Sequence, residues 1–121
     1  MAALVYVVDD EKIIAITLTE ILKQNGYEAV AFTDPLYALV AAESRSPDVL
    51  LTDVLMPQLN GIDLAVQFKA IYPKCRVLLF SGQAATSDLL KDAREKGNNF
   101  DLLMKPVHPT DLVSAIRKIL A

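Results

Sequence analysis

Three runs of apolar residues, LVYVV at positions 4–8, VLL at 49–51 and VLLF at 77–80, most constrain what this chain can fold into. None alternates with polar residues, so a strand built from any of them has no face to offer water and needs cover on both sides. Weaker strand signals lie at 29–32 and 102–104. Between the runs the chain is longer and its apolar residues recur at helical spacing, which sets up a repeated strand–helix rhythm.

The helical segments carry their own start and stop signals. Ile14, Leu18, Ile21 and Leu22 lie on one stripe, and Asn25-Gly26 closes that helix. Asp34 followed by Pro35 predicts an N-cap and first position for a second helix, with Leu36, Leu39 and Val40 facing inward. Asn60 predicts the cap of a third helix carrying Leu64, Phe68 and Ile71 and ended by Pro73. A fourth is predicted over about 84–96, before Gly97, with Leu89, Leu90 and Ala93 inward. Thr110 is the predicted cap of the last helix, on Leu112, Ile116, Ile119 and Leu120. Five strands alternating with five helices imply an α/β domain, because parallel strands joined by right-handed crossovers need helices on both faces. The expected architecture is the flavodoxin-like doubly wound (βα)5 fold, a five-stranded parallel sheet in order 2-1-3-4-5 whose crevice opens between strands 1 and 3. With 121 residues, 53% of them hydrophobic, the chain suits one domain spanning 1–121, and no linker or repeat interrupts it.

Composition removes several function classes. A formal net charge of −3 provides no basic field for a phosphate backbone, so direct nucleic-acid binding by this segment is not expected. The single cysteine, Cys75, permits no internal disulfide and is read as inert. No apolar stretch approaches the ~18 residues of a membrane span, and the first residues lack a charged-then-hydrophobic leader. A soluble, cytoplasmic protein is expected. His108, the only histidine, lacks neighbours for a metal or triad site and is expected at the surface.

Chemistry collects at the strand ends. The first strand runs into Asp9-Asp10-Glu11, the third ends in Asp53, the fourth in Ser81 before Gly82, and the fifth in Lys105 before Pro106. Beyond Asp53, Met56, Pro57, Asn60 and Gly61 force a loop, with Met56 and Pro57 shaping it. Taken singly, an aspartate after a strand caps a helix, and a serine or lysine there is a surface group. Together they place several carboxylates, a hydroxyl and an ammonium around one crevice. Crowded carboxylates raise one another's pKa unless a cation intervenes, and hard oxygen donors suit Mg²⁺. Asp53 is then the candidate nucleophile of a phosphoryl transfer, in which positioning and charge neutralisation matter most.

The order DD, DVLMPQLNG, SG and KP, spread over essentially the whole chain, resembles the receiver domain of two-component response regulators. That resemblance implies that Asp53 accepts a phosphoryl group from a sensor histidine kinase or histidine phosphotransfer protein. It implies Mg²⁺ bound directly by Asp10, Asp53 and the backbone carbonyl of Leu55, with Asp9 acting through water. Ser81 and Lys105 would contact the phosphoryl oxygens, and the Lys105-Pro106 peptide would be cis. The family is a switch that catalyses only its own phosphorylation and dephosphorylation, and reports to an output domain or downstream protein through helix 4, strand 5 and helix 5. One departure stands out. Receivers commonly carry an aromatic residue three positions before the lysine, and here that residue is Leu102; a bulge in 97–101 would let Phe100 take its place.

Two other readings remain at this point. A Mg²⁺-dependent phosphatase with an aspartyl-phosphate intermediate would place a second aspartate two residues after the nucleophile, where this chain has Leu55. A pseudo-receiver that only binds partners would tend to have lost acidic or lysine positions. For acyl phosphate lifetime, Gln83→Ala is expected to change the decay rate more than Leu55→Ala, since an amide can orient water and an isobutyl group cannot. Phosphate-release kinetics on the two variants give the ranking.

Overall fold

The rhythm becomes ten elements in this computed structural model, which describes residues 2–82 and 86–121. They are β1 (Leu4–Val8), α1 (Lys12–Gln24), β2 (Glu28–Phe32), α2 (Pro35–Ser44), β3 (Val49–Asp53), α3 (Gly61–Ile71), β4 (Arg76–Ser81), α4 (Thr86–Glu95), β5 (Asp101–Met104) and α5 (Pro109–Leu120). All strand pairs are parallel, in the order β2-β1-β3-β4-β5, as the alternation required. The two positions preceding Thr86 in the expected fourth helix, and Gln83, lie outside the described residues.

Every residue of β1 and β3 is buried. Side chains alternate between two layers, as the period of a strand demands. Leu4, Tyr6, Val8, Leu50, Val77 and Leu79 pack with Ala38 and Ala42 of α2, Leu64 and Phe68 of α3 and Ala93 of α4. On the opposite face Val5, Val7, Leu51, Leu78 and Phe80 pack with Leu18 and Leu22 of α1 and Leu112 and Ile116 of α5. Tyr6, Phe32, Phe68 and Tyr72 form a chain of aromatic contacts in the first layer, with centroids 4.8, 6.4 and 5.7 Å apart.

The expected stripes hold for α1, α4 and α5, and two others need correction. In α2 the buried residues are Pro35, Ala38 and Ala42, while Leu36 and Val40 are exposed. The segment from Pro35 to Ala42 contains no charged residue, so periodicity cannot orient it; small residues meet the sheet because they let the helix approach closely. In α3, Leu64 and Phe68 are buried as expected, but Ile71, the last residue of the helix, is 60% exposed.

Capping follows the sequence at two helices and departs at the third. Asp34 accepts a hydrogen bond from the Leu36 amide, and the Asn60 side chain accepts from Asp63. For α5 the N-cap is His108, not Thr110: its Nδ1 accepts from the Thr110 amide at 3.1 Å, and Pro109 takes the first helical position. Exposed as expected, His108 thus has a structural task. Cys75 is buried, and burial pushes its thiol up to about 11, in line with an inert side chain. Among the described residues no helix is long and apolar enough to cross a membrane.

The packing generates a contrast. Phe68→Ala should cost about 3–5 kcal/mol through the cavity left among Tyr6, Tyr72 and the strands. Ile71→Ala should cost about 0.5 kcal/mol or less. Urea denaturation of both variants measures the difference, and equal losses would show that α3 is seated differently.

Candidate functional site

Strand register builds the site. Because Val8 is paired with Thr52 and Asp53 with Phe80, Asp9, just past the end of β1, and Asp53, the last residue of β3, stand side by side at the carboxyl edge of the sheet. Ser81 is paired with Met104, and the Lys105 amide donates to the Ser81 carbonyl at 3.0 Å, extending the ladder by one step. Four strands therefore deliver Asp9, Asp53, Ser81 and Lys105 to one rim, and the Lys105-Pro106 peptide is cis there.

The carboxylates are held by backbone as well as by charge. Asp9 is wholly buried; its Oδ1 accepts from the Glu11 amide at 2.9 Å, and its Oδ2 lies 3.2 Å from Lys105 Nζ. The first of these bonds is a turn leading to Glu11, the N-cap of α1, so Asp9 shapes the entry to the helix without capping it while its other oxygen faces the crevice. Asp53 Oδ1 accepts from the Val54 amide at 2.9 Å, and Oδ2 lies 3.4 Å from Lys105 Nζ. Asp10 is exposed, yet its carboxylate oxygen completes a cluster with those of Asp9 and Asp53 in which all lie within 4.8 Å of one another. Ser81 is buried at the end of β4.

Three neighbours were not singled out as site residues from the sequence. Buried Thr52 donates its hydroxyl to the Asp53 carbonyl at 2.9 Å, fixing the backbone that carries the carboxylate. Gly61 opens α3 directly against that backbone: a Cβ there would collide with the Asp53 carbonyl oxygen, so only glycine fits. The Asn60-Gly61 pair signalled a turn, but nothing in it signalled the approach. The Phe80 ring lies beneath Lys105, with Nζ 5.0 Å from its centroid, and no sequence pattern could have shown this.

Electrostatics follow from burial. Loss of solvent pushes the Asp9 carboxyl up to about 6, with Asp53 adding to the rise while the Glu11 amide and Lys105 oppose it. Burial likewise raises Asp53, against the pull of Lys105 and the Val54 amide. For Lys105 burial acts downward, but the charges of Asp53 and Asp9 outweigh it and the ammonium stays protonated. One lysine thus faces two buried carboxylates with a third beside them, an unbalanced negative site made of hard oxygens. That donor set fits a divalent cation such as Mg²⁺.

Phe100 and Leu102 both pack against the layer formed with α2, α3 and α4. The position three before Lys105 is thus a leucine directed at that core, with an aromatic ring beside it at the entry to β5.

A parallel 2-1-3-4-5 sheet with an acidic pocket and a lysine at its carboxyl edge defines a doubly wound α/β domain of the phosphoryl-handling kind. The family model of the response regulator receiver domain matches residues 5–117, and the chain belongs to that family. Among its relatives, the transcriptional regulatory protein CreB of Escherichia coli is 33% identical over 96% of this chain and 50% of its own length. The DNA-binding transcriptional regulator NtrC of Azospirillum brasilense is 35% identical over 98% of this chain and 24% of its own. The chain thus spans half or less of the length of these relatives. A receiver domain from Clostridium thermocellum superimposes with a TM-score of 0.83 at 30% identity, covering 98% of this chain and 94% of that one. Receiver domains bind Mg²⁺ at this acidic pocket.

The raised Asp9 pKa has a testable consequence. Its folded-state value of about 6 exceeds the ordinary aspartate value of 3.8, so the folded protein holds the proton more tightly and metal-free stability falls as pH rises from about 4 to 6. Asp53 shifts in the same direction. Asp9→Asn should therefore flatten part of that slope and, above pH 7, make the metal-free protein more stable by about 1–2 kcal/mol, the relief of a buried charge less the lost Lys105 contact. Urea midpoints from pH 4 to 8 in chelator check this; a variant less stable than the parent at every pH would contradict it.

Proposed function

We propose that this chain is a phosphoacceptor switch whose Asp53 takes a phosphoryl group from a phosphohistidine of a sensor histidine kinase or phosphotransfer protein. The observation that supports it best is a buried carboxylate at the end of β3, with Oδ2 3.4 Å from Lys105 Nζ, inside a cluster of three carboxylates. In the transfer an Asp53 carboxylate oxygen forms a bond to phosphorus as the bond from phosphorus to the donor's imidazole nitrogen breaks and the imidazole leaves. Asp53 is presented for this by the Val54 amide on its other oxygen and by Thr52 and Gly61 behind its backbone. The Lys105 ammonium and the Ser81 hydroxyl would donate to the transferred phosphoryl oxygens.

Asp10, Asp53 and the Leu55 carbonyl would hold Mg²⁺ directly, with Asp9 in contact through water. When bound, the ion neutralises the crowded carboxylates and the charge of the phosphoryl oxygens. Leu55 offers no proton two positions after Asp53, which argues for a stable mark and against turnover of small phosphate esters. The readout would run from Ser81 and Lys105 to the face of α4, β5 and α5, and from there to a downstream protein or output domain. Relatives named as transcriptional regulators extend well beyond the matched segment. The site of action we assign is cytoplasmic.

Incubation with acetyl phosphate and Mg²⁺, followed by intact-mass measurement, tests the assignment. One phosphoryl adduct is expected, absent in Asp53→Asn and without chelator-sensitive formation elsewhere in the chain. No adduct, or one retained in Asp53→Asn, overturns it. Lys105→Ala should slow adduct formation at least ~10-fold, the scale of losing one charged donor to the phosphoryl oxygens.

A further inference from the structure

We propose that the Phe80 ring is a positioning group for the reaction, holding the Lys105 ammonium over the paired carboxylates of Asp9 and Asp53. The inference rests on the phosphoacceptor reading and adds to it a residue outside the polar constellation. Nζ lies 5.0 Å from the ring centroid, 3.2 Å from Asp9 Oδ2 and 3.4 Å from Asp53 Oδ2, so ring and carboxylates hold one charge between them. Phe80 is completely buried and the Lys105 side chain is 20% exposed, so the contact is largely desolvated, the setting in which a cation and an aromatic face attract most.

A lysine needs such a guide. Its ammonium rides on a four-carbon stem and is a point charge without the fixed fork of an arginine. Here the stem is confined at its start, where the Lys105 amide donates to Ser81 and a Cβ at Gly82 would lie 3.4 Å from the lysine Cβ. Past the stem, the ring borders a cavity of about 420 Å³ between α1 and the connection from β5 to α5, with Ile14, Leu18 and Val107 on its walls. That open side leaves the ammonium to be held by the two carboxylates on one side and the ring on the other rather than by packing. The attraction to the ring acts toward its face and not toward any one oxygen, so it can hold the charge over the ring while the ammonium turns from a bare carboxylate to a phosphorylated one. Isoleucine or leucine at position 80 would fill the same layer and lack that property.

Replacing Phe80 by 4-fluoro-, 3,5-difluoro- and pentafluorophenylalanine withdraws electron density from the ring face at nearly constant shape. The rate of adduct formation with acetyl phosphate and saturating Mg²⁺ should fall stepwise along the series, by roughly 3- to 10-fold at its end, with urea midpoints close together. A second readout needs neither metal nor phosphate: the Lys105 Hε resonances should lie upfield through the ring current and return toward ordinary positions in Phe80→Leu. Equal rates across the series, or Hε resonances unmoved by Phe80→Leu, overturn the proposal. If the perfluorinated protein does not fold, the two milder substitutions still decide the trend. Failure of the phosphoacceptor reading looks different, since the unsubstituted protein would then form no adduct, and the positioning role would fall with it.

Discussion

Two carboxylates, Asp9 and Asp53, are buried at the carboxyl edge of a parallel sheet and share one lysine, whose Nζ lies 3.2 and 3.4 Å from them. Burying two like charges is costly unless cations and hydrogen bonds compensate. Most of the site can be understood as that compensation. Backbone amides of Glu11 and Val54 each donate to one carboxylate oxygen, and Lys105 answers the remaining two. The balance is still negative once Asp10 is included, which is why the pocket suits a divalent ion and an incoming phosphoryl group bound together.

The sheet makes this arrangement possible. In a parallel sheet whose strands all point the same way, residues at the carboxyl ends of β1, β3, β4 and β5 meet although Asp9 and Lys105 are 96 positions apart. The helices on both faces bury β1 and β3 completely, and the polar residues gather at their carboxyl edge. Close approach of α3 to the backbone of Asp53, permitted by Gly61, brings the start of the helix back to the end of β3, where the Gly61 amide donates to the Val54 carbonyl. The core and the site are therefore not separable: the apolar strands that fill the interior also aim the acidic residues.

Much of this could be read from the sequence. Strand order, element positions and the polar rim were legible because unbroken apolar runs such as LVYVV admit few other uses, and because chemistry-bearing residues follow those runs directly. The face of α2 was not legible, since an apolar helix has no polar side to point outward, and Ala38 and Ala42 rather than Leu36 and Val40 meet the sheet. The cap of α5 was misplaced because threonine is the commoner capping residue, whereas Pro109 fixes the start of the helix and leaves His108 to cap it.

By itself the sequence determined the fold class and the inventory of the pocket, because hydrophobic period and strand-end residues are local properties that a chain carries with it. Only the tertiary structure decided that Asp9 is buried while its neighbour Asp10 is exposed, that Leu102 and Phe100 share one layer, and that Phe80 lies under Lys105. Those outcomes depend on strand register and on distances between segments far apart in the chain, quantities that no single stretch of residues contains.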